Sequence, residues 1–315
     1  MNKPNTLLFN EIGRLRSGWR ATIFLLSFLL LAYILILFSL AILALVPIGT
    51  SAGSFLPVMI PFAISSAVAI FFGWLYGKLF EDLPFRALGC AFAGKWLRNF
   101  AAGSIVGAVT LAAAVMVAVV FRGMSVVVNR DSPGSAITST LTTTILIFAV
   151  GAMSEETLFR GYLLQTFSRA KAAWIGVALT SILFALAHIN NPEVGLLSWV
   201  NTLLAGVWFA AAYFKTRDLW FPLGIHLMWN WLQGPVFGIN VSGIGEFSPD
   251  PLLRAADKGP QWLTGGSYGI EGGIACTTAL VLSMLLIYFL PSIKPTEEML
   301  ALTSHESEPP PVAGG

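Results

Sequence analysis

Residues 21–46 read ATIFLLSFLLLAYILILFSLAILALV, without a single charged side chain. An α-helix rises about 1.5 Å per residue, so roughly 20 apolar residues cross the ~30 Å hydrocarbon layer of a bilayer. This run is long enough to span. It also exceeds the apolar core of a secretory leader, about 7 to 15 residues, and is expected to stay in place as a first helix behind the basic residues Lys3, Arg14, Arg16 and Arg20.

The same pattern recurs outward from it. Hydropathy and the positions of Gly and Pro predict eight spans, at about 21–46, 54–79, 98–121, 137–168, 173–190, 196–214, 219–238 and 271–290. The 315-residue chain is 56% hydrophobic and 11% charged, with a mean hydropathy of +0.77. Soluble domains carry about 25% charged residues, so a water-soluble fold is excluded. The expected fold class is all-α, a polytopic membrane helix bundle of about eight transmembrane helices. Segment 1–20 reads as a cytoplasmic N-terminal segment, 21–290 as the transmembrane domain, and 239–270 as a long outer loop. The tail 291–315, polar, acidic and Pro-rich, reads as disordered.

With the N-terminus inside, one face of the bundle collects Lys3, Arg14, Arg16, Arg20, Lys78, Arg86, Lys95, Arg98, Arg169, Lys171, Lys215, Arg217 and Lys294. The other holds only Arg122, Arg130, Arg254 and Lys258. Short cytoplasmic loops accumulate Lys and Arg, so both termini are expected in the cytoplasm, across the plasma membrane of a prokaryote. The net charge of +2 gives no reason to expect a nucleic-acid partner. Cys90 and Cys276 are too few for a Cys-rich metal site and read as small apolar residues. Gly103-Ser-Ile-Val-Gly107 is a small-residue pattern that lets two helices approach closely. Gly195, Gly206 and Gly224 read likewise as packing residues, Trp174, Trp199 and Trp220 as an interfacial aromatic belt, and Asn201 as an interhelical hydrogen-bonding group.

Ionisable groups inside a bilayer are expensive and mark functional sites by default. Three predicted spans carry them, in Ser154-Glu155-Glu156-Thr-Leu-Phe-Arg160-Gly, in Phe184-Ala-Leu-Ala-His188 and in His226-Leu-Met-Trp-Asn230. The remaining histidine, His305, falls in the tail. Helical residues at i and i+4 share a face while neighbours point about 100° apart. Glu156 therefore pairs with Arg160, a structural role, and Glu155 faces elsewhere, where a general base would stand. His226 and Asn230 share a face, and Phe184 lies one turn before His188. Counting rise from the basic ends of the spans puts Glu155, His188 and His226 at depths of roughly 20, 22 and 10 Å. A lone histidine on an apolar helix is more often structural than catalytic; two in matched patterns with a glutamate pair point to chemistry.

The motifs EExxxR, FxxxH and HxxxN, in that order on apolar helices, resemble the CAAX protease and bacteriocin-processing family, also called the Abi or type II CAAX prenyl endopeptidase family. The resemblance covers roughly residues 137–238 and has no departure at Glu155, Glu156, Arg160, Phe184, His188, His226 or Asn230. It implies an eight-helix intramembrane endopeptidase acting on a membrane-associated protein or peptide, prenylated or otherwise hydrophobic. Glu155 and His188 would activate water and His226 with Asn230 would stabilise the oxyanion, supported by Glu156 and Arg160. The metal stays open. Glu155, His188 and His226 make a ligand set suited to Zn²⁺ with a free position for water, and the same groups serve as base and donors without metal. Two further functions compete with hydrolysis: a non-proteolytic immunity or scaffold protein holding hydrophobic peptides, and an ion-coupled transporter, against which the missing inverted repeats argue. No HExxH or GxGD pattern points to another intramembrane protease class.

Overall fold

The computed structural model describes residues 7–10, 13–45 and 55–304. Helix α1 is Ser17–Leu45, α2 Leu56–Glu81 and α3 Trp96–Val120. A strand, β1 (Met124–Val128), leads to α4 (Gly134–Leu158), which continues through a π-helical turn at Phe159–Leu163 into α5 (Leu164–Arg169). Then come α6 (Ala173–Ala187), α7 (Leu196–Thr216) and α8 (Trp220–Trp231), the last prolonged by a second π-helical turn at Leu232–Val236. Strand β2 (Leu253–Asp257), the single turn α9 (Gln261–Thr264), α10 (Ile274–Phe289) and α11 (Glu297–Thr303) complete the chain.

A helical segment stands at each of the eight expected positions, and the fold is an all-α bundle. Five are long and apolar enough to cross a membrane, with α4, its π turn and α5 counted as one; α6 and α10 are shorter. Their outer faces are apolar. Leu26, Leu29, Leu30, Tyr33 and Phe38 of α1 are all exposed, and only 11% of its most apolar window is buried within the protein. A surface of that kind is far larger than the apolar patches soluble proteins tolerate, and it makes this an integral membrane protein.

Element ends follow local chemistry. Pro57 starts α2, and Pro133 precedes α4. Helix α2 ends on Asp82 and α7 on Arg217, both in the left-handed region at φ 53° and 59°. Asp218 then caps α8: its Oδ1 accepts the N–H groups of Trp220 at 2.9 Å and Phe221 at 3.3 Å, while Oδ2 accepts from Asn99 on α3. Burial pushes the Asp218 carboxyl above the ordinary aspartate range, against the pull of these hydrogen bonds.

Glycine sets the closest helix pair. A Cβ on Gly103 would overlap the carbonyl oxygen of Phe221, one on Gly107 that of Ile225, and one on Gly224 that of Phe100. Helices α3 and α8 therefore run parallel in backbone contact, as the small-residue pattern predicts. Gly206 of α7 packs on α6 in the same way, where an added Cβ would come within 2.7 Å of the Ser181 Cα. Gly195 differs from the expectation. No atom lies within 4 Å of where its Cβ would be, and it is the extended residue at which α7 begins.

Four other features depart from the sequence reading. The connections expected on the outer side are not bare loops: β1 and β2 pair antiparallel, Met124 opposite Asp257 through Val128 opposite Leu253, bringing together residues 125 to 133 positions apart. Trp220 is buried rather than interfacial, its indole N–H donating to Ala91 O at 3.0 Å and its ring set against Phe92 and Trp96. The tail expected to be disordered contains α11, capped by Thr296 Oγ1 and held to the 85–88 turn by an Arg86–Glu298 ion pair at 3.0 Å. His305 and the rest of the tail to Gly315 lie outside the described residues. Glu271, expected as the first residue of the last span, sits in the turn Ile270–Gly272 before α10.

Candidate active site

The glutamates sit where the helical ladder of α4 opens. The N–H of Phe159 is shared between the carbonyls of Glu155 and Glu156, and Gly161 leaves helical geometry with ψ −135°. Such π turns recur at functional sites. A second one, at Leu232–Val236, comes directly after Asn230 and Trp231.

Glu156 is fully buried and pairs with Arg160 at 3.3 Å, as its spacing predicts. Arg160 is equally buried. Its guanidinium lies 4.7 Å from the Phe184 ring and 4.9 Å from the Phe209 ring, and it donates to Gly206 O at 3.1 Å. The same Glu156 Oε1 also meets His226 Nδ1 at 2.8 Å. An ionised carboxylate only accepts, so His226 donates there through Nδ1–H. Glu156 thus does more than hold Arg160: it orients the imidazole of a helix 70 residues away.

His226 Nε2 faces Glu155 Oε2 at 3.6 Å, and that oxygen has no hydrogen-bond partner among the described residues. With Nδ1 already protonated, Nε2 bears a hydrogen only in the imidazolium form. In that form it is a donor set between two carboxylates; in the neutral form it accepts. The ring stacks on Phe209, centroids 4.5 Å apart, and meets Phe184 edge-on at 6.2 Å.

His188 caps the C-terminal end of α6. Its Nδ1 bonds the Phe184 carbonyl at 2.8 Å, which makes Nδ1–H the donor and leaves Nε2 with its lone pair. The Phe184 ring lies 4.7 Å from the imidazole and fixes its plane.

Glu155, Phe184, His188, His226 and Asn230 line one cavity of about 60 Å³. The mismatch of depth expected for His226 is removed at the base of α8. The 82–95 segment folds beneath it, with Gly89 O accepting the Leu219 N–H at 2.9 Å, so the helix starts inside the bundle rather than at its edge. The histidine is thereby raised to the level of Glu155.

Among the described residues no three His, Cys, Asp or Glu side chains stand close enough together to hold a metal ion. Glu156 engages His226 through Nδ1 alone, which leaves Nε2 directed at Glu155; a carboxylate on the far ring nitrogen is also the usual partner of a metal-bound histidine.

Sequence reasoning missed the far wall. Asn201, Thr202, Trp208, Trp229, Ser242, Glu271 and Cys276 also line the cavity. Asn201 donates to the carbonyls of Glu271 and Gly273 and accepts from Thr277, an interhelical role as expected. Glu271 carried one signal, an acid standing alone directly before the last apolar run.

Residues 136–232 match the family model described as type II CAAX prenyl endopeptidase Rce1-like. A protein of Escherichia coli, described as an uncharacterized 24.3 kDa protein, is 29% identical over 139 residues, which cover 42% of this chain and 62% of that relative. No solved structure matches. The matched segment, under a third of the chain, contains Glu155, Glu156, Arg160, Phe184, His188, His226 and Asn230, the positions that carry the similarity to the type II CAAX prenyl endopeptidase Rce1-like family.

Proposed function

We propose that this protein is an intramembrane endopeptidase that hydrolyses a peptide bond of a membrane-associated protein or peptide. One observation carries the reading: side chains from three separate helices, Glu155 on α4, His188 at the end of α6 and His226 with Asn230 on α8, line a single small cavity inside an apolar bundle.

Water held between Glu155 and His188 Nε2 gives a proton to the Glu155 carboxylate as its oxygen attacks the scissile carbonyl carbon. The carbonyl π pair moves onto oxygen, and the resulting oxyanion takes hydrogen bonds from Nε2–H of His226 in its imidazolium form and from the Asn230 amide. The proton on Glu155 then passes to the leaving amine as the C–N bond breaks, so the carboxylate is regenerated. Glu156 keeps His226 Nδ1–H in place throughout, and Arg160 holds Glu156. Sequestration from bulk water lets these charges act at low dielectric.

Purified protein in nanodiscs, offered peptides carrying an apolar anchor, is expected to release cleavage products. Glu155→Gln is expected to lower turnover by about 10³-fold or more with thermal stability unchanged. Full turnover by that variant sinks the assignment.

A further inference from the structure

The cavity has a second carboxylate that the hydrolytic steps do not use. Glu271 lies outside the matched segment, in the turn before α10, and lines the same cavity as Glu155. Its Oε1 accepts the indole N–H of Trp229 at 3.1 Å. Oε2 accepts both the N–H of Ser242 at 2.6 Å and its hydroxyl at 2.8 Å. Trp229 stands between His226 and Asn230 in sequence, on the wall of α8 that faces the site, and Ser242 belongs to the outer connection.

Three donors fix this carboxylate as an acceptor, and one lone pair of Oε1 remains unused. No ion pair to a Lys or Arg engages it among the described residues, and none of the residues lining the cavity is a Lys or Arg. Beside its two histidines, the lining therefore presents two glutamates and no Lys or Arg to whatever enters. In a cavity shielded from water such a charge acts strongly on its neighbours.

We propose that Glu271 determines specificity: resting on the endopeptidase reading above, it selects substrates that place a basic side chain beside the scissile bond and rejects those that place a carboxylate there. A substrate ammonium or guanidinium would meet Oε1 of Glu271, while a substrate carboxylate would face two like charges.

The test uses the full-length protein in nanodiscs and a peptide library with an apolar anchor followed by a randomised stretch, its products identified by mass spectrometry. Wild-type cleavage sites are expected to be enriched in Lys or Arg and depleted in Asp and Glu near the broken bond. Glu271→Gln, which keeps the shape and an acceptor toward Ser242 but loses the acceptor toward the Trp229 indole, is expected to cut kcat/KM for basic sites about tenfold, to leave neutral sites within about twofold, and to admit acidic ones. Glu271→Asp restores the preference even where turnover falls, and Ser242→Ala, which loosens the turn without removing charge, retains it. A wild-type profile indifferent to charge, or a Glu271→Gln profile equal to the wild type, overturns the proposal while leaving endopeptidase activity standing. Absence of any cleavage that depends on Glu155 overturns the endopeptidase reading and this inference with it.

Discussion

At Glu156 one oxygen serves two partners, the guanidinium of Arg160 and the Nδ1–H of His226. The first was legible from i, i+4 spacing alone. The second was not, because no local pattern tells which of two adjacent glutamates a histidine 70 positions downstream will meet. The consequence concerns rate. An oriented imidazole has its donor fixed before the oxyanion forms, whereas a freely rotating one must be ordered during the reaction. Glu156→Gln retains an acceptor but leaves Arg160 buried between Phe184 and Phe209 without a counter-charge. It is expected to lower kcat by about 10²-fold or more with KM within about twofold, and to lower the melting temperature as well. Steady-state kinetics on the folded fraction checks this; a kcat equal to the wild type would return Glu156 to a purely structural role.

At the scale of elements, the position of His226 depends on two glycines of a different helix. Gly103 and Gly107 allow the backbone of α8 to lie directly on α3, and Asp218 with Asn99 fixes where α8 begins. The glycine pattern was readable as a packing device, but its partner was not, since small-xxx-small states that a helix approaches without saying which. Nor was the first π turn readable: nothing in Phe159–Leu163 except Gly161 departs from a helical sequence. A side chain at Gly107 must push α8 away from α3 and His226 away from Glu156. Gly107→Leu is expected to destabilise the folded bundle by about 1 to 3 kcal/mol and to abolish cleavage. Gly134→Ala, at the open start of α4 where no atom lies within 4 Å, is expected to leave both unchanged. Thermal denaturation in detergent beside activity separates the two, and an active Gly107→Leu protein would show that α8 can shift without moving the site.

The whole molecule was legible where physics is local and average, in the eight apolar segments, and illegible where distant segments converge. The β1–β2 ribbon and the arrival of Ser242 and Glu271 at the cavity each join residues far apart in sequence that only the assembled bundle brings together. The deepest such convergence lies away from the cavity. Glu81 at the end of α2 takes a two-pronged contact from Arg169 of α5, at 2.8 and 2.9 Å, and a third from Arg20 of α1 at 2.7 Å, all three side chains buried. Arg169 also bonds Gln165, whose amide donates to the carbonyls of Leu88 and Arg160. Three helices are thus tied through one carboxylate to the segment that presents Glu155. Replacing a buried ion pair whole can be neutral, but removing one member strands the others, a loss of about 3 to 5 kcal/mol. Glu81→Gln leaves two guanidiniums facing each other in an apolar setting. It is expected to lower the melting temperature sharply, while kcat of the protein that remains folded stays within about threefold, because Glu81 touches none of the cavity-lining groups. Equal stability of Glu81→Gln and wild type would mean that α1 and α2 are held by lipid and by their apolar faces alone; a selective loss of kcat at unchanged stability would mean that the cluster sets the geometry of the active site through Gln165 and Arg160.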